Sequence, residues 1–118
     1  MTTTVNIGGK EVRVRVSART PFDYRELFFS DLIDDMHRVC TGAAGADTIE
    51  VIEKFLWICA RNAGEDVHAD LPAEDAIAAW LDEFEDMYAM YKALPVVIEM
   101  WQKETQTTSE AKKKDGSP

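Results

Sequence analysis

The amino-acid sequence predicts a small α+β fold that is mainly helical, with an N-terminal β-hairpin packed on a compact bundle of about four helices. Apolar and polar residues alternate near the N-terminus, apolar residues then recur at helical spacing, and a polar tail follows. A chain of 118 residues holds one hydrophobic core of ordinary size. We therefore predict a single domain over residues 1–104 and a disordered polar tail over residues 105–118.

Charge and composition argue against several classes of function. The net charge of −9 would repel a phosphate backbone, so we expect no nucleic-acid binding. No stretch approaches the ~20 apolar residues that a bilayer crossing needs, and the first residues do not resemble a secretory signal. These features predict a cytoplasmic protein that does not insert into membranes.

The hairpin prediction rests on alternation around a glycine pair. Apolar residues alternate with polar ones over residues 5–7 and again over residues 12–16, and Gly8-Gly9 between them suits a two-residue turn. An isolated hairpin is only marginally stable, so its valine face should pack on the helices or on another molecule.

The first predicted helix runs from Thr20, as its capping residue, to about Cys40. Pro21 suits the first helical position, and Gly42 follows the end. Its apolar face would contain Phe22, Phe28, Phe29, Leu32, Ile33, Met36, Val39 and Cys40. Its polar side would contain Asp23, Glu26, Ser30, Asp31, Asp34 and Asp35.

A second helix is expected to begin at Asp47, with Glu50 completing a capping box, and to be the central helix of the fold. Trp57 falls on its charged side. Two interpretations of this ring stay open: a contact with a partner, or a ring covered by the following loop.

Pro72 would begin a third helix, and after a break near Glu85 a fourth would end near Glu104, kinked at Pro95. The apolar arc of this fourth helix is about 180° wide, whereas a helix that packs on one core needs an arc of only ~100°. That arc contains Phe84, Met87, Tyr88, Met90, Tyr91, Leu94, Val97, Ile98 and Trp101. Either part of it binds a partner, or a small core buries all of it. The candidate partner-binding residues are Met87, Met90, Leu94, Val97, Trp101 and Trp57.

No pattern of catalytic residues is evident, so we predict that the chain is not an enzyme. His37 and His68 lack metal-ligand spacing, and Cys40 and Cys59 fit reduced core thiols. The carboxylates of residues 82–86 lack the glycine and alternating oxygen ligands of a calcium loop. We expect neither a metal nor a cofactor.

The order and spacing of several segments resemble the tail assembly chaperones of long-tailed bacteriophages and prophages of the Gram-positive type. The resemblance covers about residues 4–103. The segments that carry it are residues 5–12, 19–28 and 31–35, Ile52-Glu53-Lys54-Phe55-Leu56-Trp57, Trp80-Leu81-Asp82-Glu83-Phe84, and residues 93–101.

This resemblance implies a protein of the host cytoplasm that is absent from the virion and uses no cofactor. It would bind and solubilise the tape measure protein and promote polymerisation of the tail tube protein. Family members are often also made in a longer, frameshifted form, and Lys112-Lys113-Lys114 would permit a slippery codon run here. Whether the chain associates with itself stays open.

An acidic inhibitor that mimics DNA is the alternative function. Carboxylates of the first predicted helix and of residues 82–86 could imitate phosphate spacing. Basic residues such as Arg25 and Arg38 interrupt the acidic ones, which argues against one continuous negative field.

Overall fold

A two-stranded antiparallel hairpin begins the fold in the computed structural model, which describes residues 2–116 and the side chains of residues 2–105. β1 (Thr2–Ile7) pairs with β2 (Lys10–Arg15) in a register that places Val5 opposite Val12. Val12 and Val14 are buried, as their alternation predicted. The valine face is thus part of the core, and the hairpin prediction is confirmed.

Five α-helices follow the hairpin in the described part of the chain. They are α1 (Arg19–Phe28), α2 (Leu32–Thr41), α3 (Thr48–Asn62), α4 (Ala73–Leu81) and α5 (Ala89–Gly116), with a short 3-10 helix (Gly45–Asp47) before α3. The helix α3 contacts β2 and all four other α-helices, so it is the central helix. The mainly helical α+β fold is confirmed.

The single helix predicted from Thr20 to Cys40 is wrong, because the chain breaks between α1 and α2. Phe29 takes a left-handed conformation with φ of 55°, and its N–H bonds to the carbonyl of Arg25 to close α1. The carboxylate of Asp31 then caps α2 by accepting from the backbone N–H groups of Ile33, at 2.9 Å, and Asp34, at 3.2 Å. Apolar periodicity continued across this elbow, so periodicity alone did not reveal it.

A buried polar network holds the elbow together. Asp35 accepts hydrogen bonds from the Tyr24 hydroxyl at 2.8 Å, the Ser30 hydroxyl at 2.8 Å and Nη2 of Arg38 at 2.9 Å. Burial alone would raise the pKa of Asp35, but these hydrogen bonds outweigh it and the pKa is lowered. The sequence predicted that Asp35 lies on the polar side of one long helix. Asp35 is buried because the chain changes direction between α1 and α2.

Asp23 is a second carboxylate predicted to face solvent that is in fact buried. Nη2 of Arg61 lies 3.0 Å from its Oδ2, and Nδ2 of Asn62 donates to the same oxygen at 3.2 Å. Arg19 reaches its carboxylate from the preceding turn at 3.2 Å. The charge is tolerated inside because α3 brings a cation and an amide to it.

Two predicted helix caps are also wrong. Thr20 lies within the first turn of α1, where its hydroxyl accepts the N–H of Ser17 at 3.0 Å. Asp47 has helical backbone angles and no capping hydrogen bond, because the 3-10 helix runs directly into α3. A side-chain cap needs an extended backbone at the capping residue, so the capping box with Glu50 does not form.

The helix α5 begins at Ala89, slightly later than the predicted break near Glu85, and contains Pro95. The helix extends to Gly116, beyond the end near Glu104 that the sequence predicted. The predicted disorder of residues 105–118 stays a prediction, since the side chains beyond Thr105 lie outside the described residues. None of the helices in the described part of the chain combines the length and apolarity that crossing a bilayer requires.

Candidate partner-binding groove

The wide apolar arc of the fourth predicted helix is divided between core and surface. Met90 and Val97 are buried, whereas Met87, just before α5, is 80% exposed. Leu94 and Trp101 are half-buried, and the Trp101 ring meets a core phenylalanine edge to face at 5.9 Å. Of the candidate residues on this arc, Met87 therefore offers the most surface in the folded chain.

Trp57 is covered by the loop that follows α3. Its ring is 2% exposed, and its Nε1 donates to the carbonyl of Val67 at 3.0 Å. The guanidinium of Arg61 lies 5.3 Å from the ring centroid. The covering-loop interpretation is confirmed, and Trp57 is not on the accessible surface of the free chain.

The hairpin turn lies against the first residue of α5. Gly8 has φ of +58°, and a Cβ added there would lie 3.0 Å from the Cβ of Ala89. Only glycine allows this backbone conformation and this approach together. The turn therefore packs against the start of α5, close to Ala89 and to the side chain of Asp86.

The first exposed patch, which we call the α5 patch, consists of Met87, Tyr88 and Tyr91. The two tyrosine rings pack edge to face with centroids 6.2 Å apart. Exposed methionine and tyrosine side chains at one place are typical of a surface that adapts to a protein partner.

The second exposed patch, the elbow patch, consists of Phe22, Phe29 and Ile33. Phe29 is 91% exposed, because its left-handed backbone turns the side chain away from the core. Apolar periodicity places all three residues on the apolar face of the first predicted helix, so it did not reveal this patch. The Ser30-Asp31 pair, with Asp34 three residues after Asp31, is a helix-start pattern that could have revealed it.

Beside α3 and α4 lie two pockets of about 350 and 170 Å³ whose linings share one residue, and we treat them together as one groove. The pocket at the elbow is lined by Leu27, Phe28, Phe29, Glu50, Glu53, Lys54, Ala73, Glu74 and Ile77. The pocket at the α5 patch is lined by Ile49, Glu53, Leu81, Phe84, Asp86, Met87, Ala89, Met90 and Tyr91. We call this surface the α3–α4 groove.

Glu53 is the residue that the two pockets share. It is half-buried, and burial, assisted by the charge of Glu50, raises the pKa of its carboxyl group. Lys54 pairs with Glu50 at 2.9 Å rather than with Glu53. The groove is therefore apolar at both ends and acidic in the middle.

His68 and Glu83, two of the candidates outside the groove, pair with each other. Nε2 of His68 lies 2.7 Å from Glu83, and Nζ of Lys10 lies 2.8 Å from the other oxygen of the same carboxylate. Lys10 and His68 lower the pKa of Glu83. Glu83 thus connects the hairpin to the loop before α4 and to the end of that helix.

The cysteine thiols do not form a reactive site. Burial raises the pKa of Cys59, and burial also raises that of the half-buried Cys40. Residues 2–105 contain no cluster of three or more side chains arranged to hold a metal ion. The α3–α4 groove is the candidate site that we consider further. No family model, curated protein or solved structure matches the chain.

Proposed function

We propose that this chain is a tail assembly chaperone of a long-tailed bacteriophage or prophage. In this proposal it binds the tape measure protein in the host cytoplasm, keeps it soluble and promotes polymerisation of the tail tube protein around it. The observation that carries the proposal is the α3–α4 groove, which has large apolar side chains exposed at both ends. Scattered apolar residues are normal on a surface, whereas two patches joined by a groove favour a binding site.

The shape of the groove suits a helical partner. The nine residues of α4 extend about 13 Å, so a helix lying beside it would contact the groove over two to three turns. Amphipathic helices are commonly bound by laying their apolar face in such a groove. A tape measure protein would offer long apolar helices before its assembly into the tail.

The charge of the chain supports the same role. With a net charge of −9, the remainder of the surface would keep a chaperone complex soluble and separate from other complexes. The sequence resemblance to tail assembly chaperones is a separate argument, since it rests on the order of segments and not on the groove.

The alternative, an acidic mimic of DNA, has less support from the positions of the carboxylates. Asp23 and Asp35 are buried among arginine, amide and hydroxyl donors, and Glu83 is paired with Lys10. These side chains are unavailable for an exposed row of charges resembling phosphates.

Co-expression with the tape measure protein of the same genome tests the proposal. The wild-type chain should keep the tape measure protein soluble and co-purify with it. The double variant Phe29→Glu/Met87→Glu should fold but lose this activity, because both substituted side chains are exposed ends of the groove. Soluble tape measure protein at an unchanged yield with this variant would refute the groove as the binding site.

A matched control adds two carboxylates elsewhere. Thr2→Glu/Thr4→Glu places them on the exposed face of β1, opposite Arg15 and Arg13. This variant should behave like wild type. A pulldown that returns a host DNA-binding protein in place of tail proteins would favour the alternative function.

A further inference from the structure

Glu53 is unusual among the carboxylates of the α3–α4 groove. It is half-buried between two apolar pockets, and within residues 2–105 its carboxylate makes neither a hydrogen bond nor an ion pair. Burying an unpaired charge costs free energy, which a neighbouring cation would offset.

Lys54 offsets the charge of Glu53 only in part: it acts to lower the pKa of Glu53, but burial and the charge of Glu50 outweigh it and the pKa is raised. Lys54 is paired with Glu50 at 2.9 Å, and its ammonium group also lies 5.3 Å from the ring of Phe28. Asp86, at the other end, is paired with Lys92 at 2.6 Å. Glu74 is exposed and adds a further negative charge to the rim. In the lining of the elbow pocket the carboxylates of Glu50, Glu53 and Glu74 therefore outnumber the single ammonium group of Lys54, and this part of the groove carries a net negative charge beside apolar side chains.

We propose that the groove recognises an amphipathic helix in which a lysine or arginine lies between two apolar anchor residues, with the basic side chain meeting Glu53. The identification of that helix with a tape measure segment rests on the function proposed above. The charge pattern of the groove predicts a basic amphipathic helix, whichever protein provides that helix.

The spacing of the anchors follows from α4. Ala73 and Ile77 line the elbow pocket, and Leu81, one turn after Ile77, lines the pocket at the α5 patch. A bound helix lying along α4 therefore needs its anchors one to two turns apart. Anchors at positions i and i+7, with the basic residue at i+3 or i+4, place all three on one helical face.

Three synthetic helical peptides test this inference. They share leucine anchors at i and i+7 and differ only at i+4, which is lysine, norleucine or glutamate. Binding to the full chain is measured by fluorescence anisotropy at neutral pH and fixed ionic strength. The lysine peptide should bind about tenfold more tightly than the norleucine peptide and the glutamate peptide most weakly.

Charge removal in the protein gives the decisive comparison. Glu53→Gln should lose about tenfold in affinity for the lysine peptide while binding the norleucine peptide at least as well as wild type. Glu11→Gln, which removes an exposed carboxylate of β2, should keep the wild-type preference. Circular dichroism melts establish that both variants are folded.

Equal binding of the lysine and norleucine peptides to wild type would overturn the inference, and so would binding of none of the three. A preference for lysine that survives in Glu53→Gln would equally overturn it. If the tape measure protein is solubilised through the groove while the peptides are not distinguished, only the inference fails. If the peptides are distinguished but the tape measure protein is not bound, only the proposed function fails.

Discussion

Met87 and Met90 lie three residues apart in one apolar arc, yet the first is 80% exposed and the second is buried. Met87 precedes the first residue of α5 and faces solvent. Met90 lies in the first turn of α5, where its side chain is packed into the core. The same type of residue thus packs in the core at one position and exposes apolar surface at the other.

The elbow repeats this contrast. Tyr24 is buried, and its hydroxyl bonds to Asp35, whereas Phe29, five residues later, is almost fully exposed. Both patches at the ends of the groove therefore begin where a helix starts or ends. In this chain, the helix boundaries show where apolar side chains are exposed, and the width of an apolar arc does not.

The largest expected effect comes from a charge placed in the buried part of the arc. Val97→Glu introduces a carboxylate at a fully buried position, which should cost roughly 3–5 kcal/mol and lower the melting temperature by more than about 10 °C. Thermal melting monitored by circular dichroism measures this change in melting temperature. An unchanged melting temperature would show that Val97 does not belong to a buried part of the arc.

The elbow network should contribute less, and in a manner that depends on pH. Asp35→Asn removes a charge that accepts three hydrogen bonds, which should cost about 2 kcal/mol at pH 7. The pKa of Asp35 is lowered in the folded chain. Its stabilising contribution is therefore complete above the ordinary aspartate pKa of about 3.9 and is lost as the pH falls towards the lowered value.

Urea unfolding at pH 7 and at pH 3 measures this dependence. The difference in unfolding free energy between wild type and Asp35→Asn should be smaller at pH 3. A difference that stays constant or grows in acid would mean that Asp35 is not the charged acceptor of the network.

The boundary between the two parts of the arc can be tested at the hairpin turn. Gly8→Ala combines a left-handed backbone with a Cβ at 3.0 Å from Ala89, and we expect a loss of about 1–2 kcal/mol. Gly9→Ala has similar backbone strain but nothing within 4 Å of its Cβ, and should cost less. Equal losses in chemical denaturation would indicate that the contact with Ala89 does not matter.

The smallest effect on stability is expected in the exposed part of the arc. Met87→Glu should change the unfolding free energy by no more than about 0.5 kcal/mol, because the side chain faces solvent. The same variant should weaken co-purification of the tape measure protein. A strong loss of stability would place Met87 in the core and remove it from the proposed surface.

The sequence by itself determined the hairpin, the central helix and the mainly helical fold. Alternation over residues 12–16 and helical spacing over residues 49–59 are local patterns, and each identifies one buried face of its own element. A glycine pair between two alternating segments leaves little freedom in the position of the turn.

Tertiary structure alone decided which apolar residues stay exposed and which carboxylates are buried. Phe29 and Asp35 exchanged their expected environments because the elbow gives α2 a direction of its own. Met87 and Met90 differ because Met90 lies in α5, which packs on the core, whereas Met87 precedes that helix. Exposure depends on which other element covers a residue, and periodicity within one element contains no information about its neighbours.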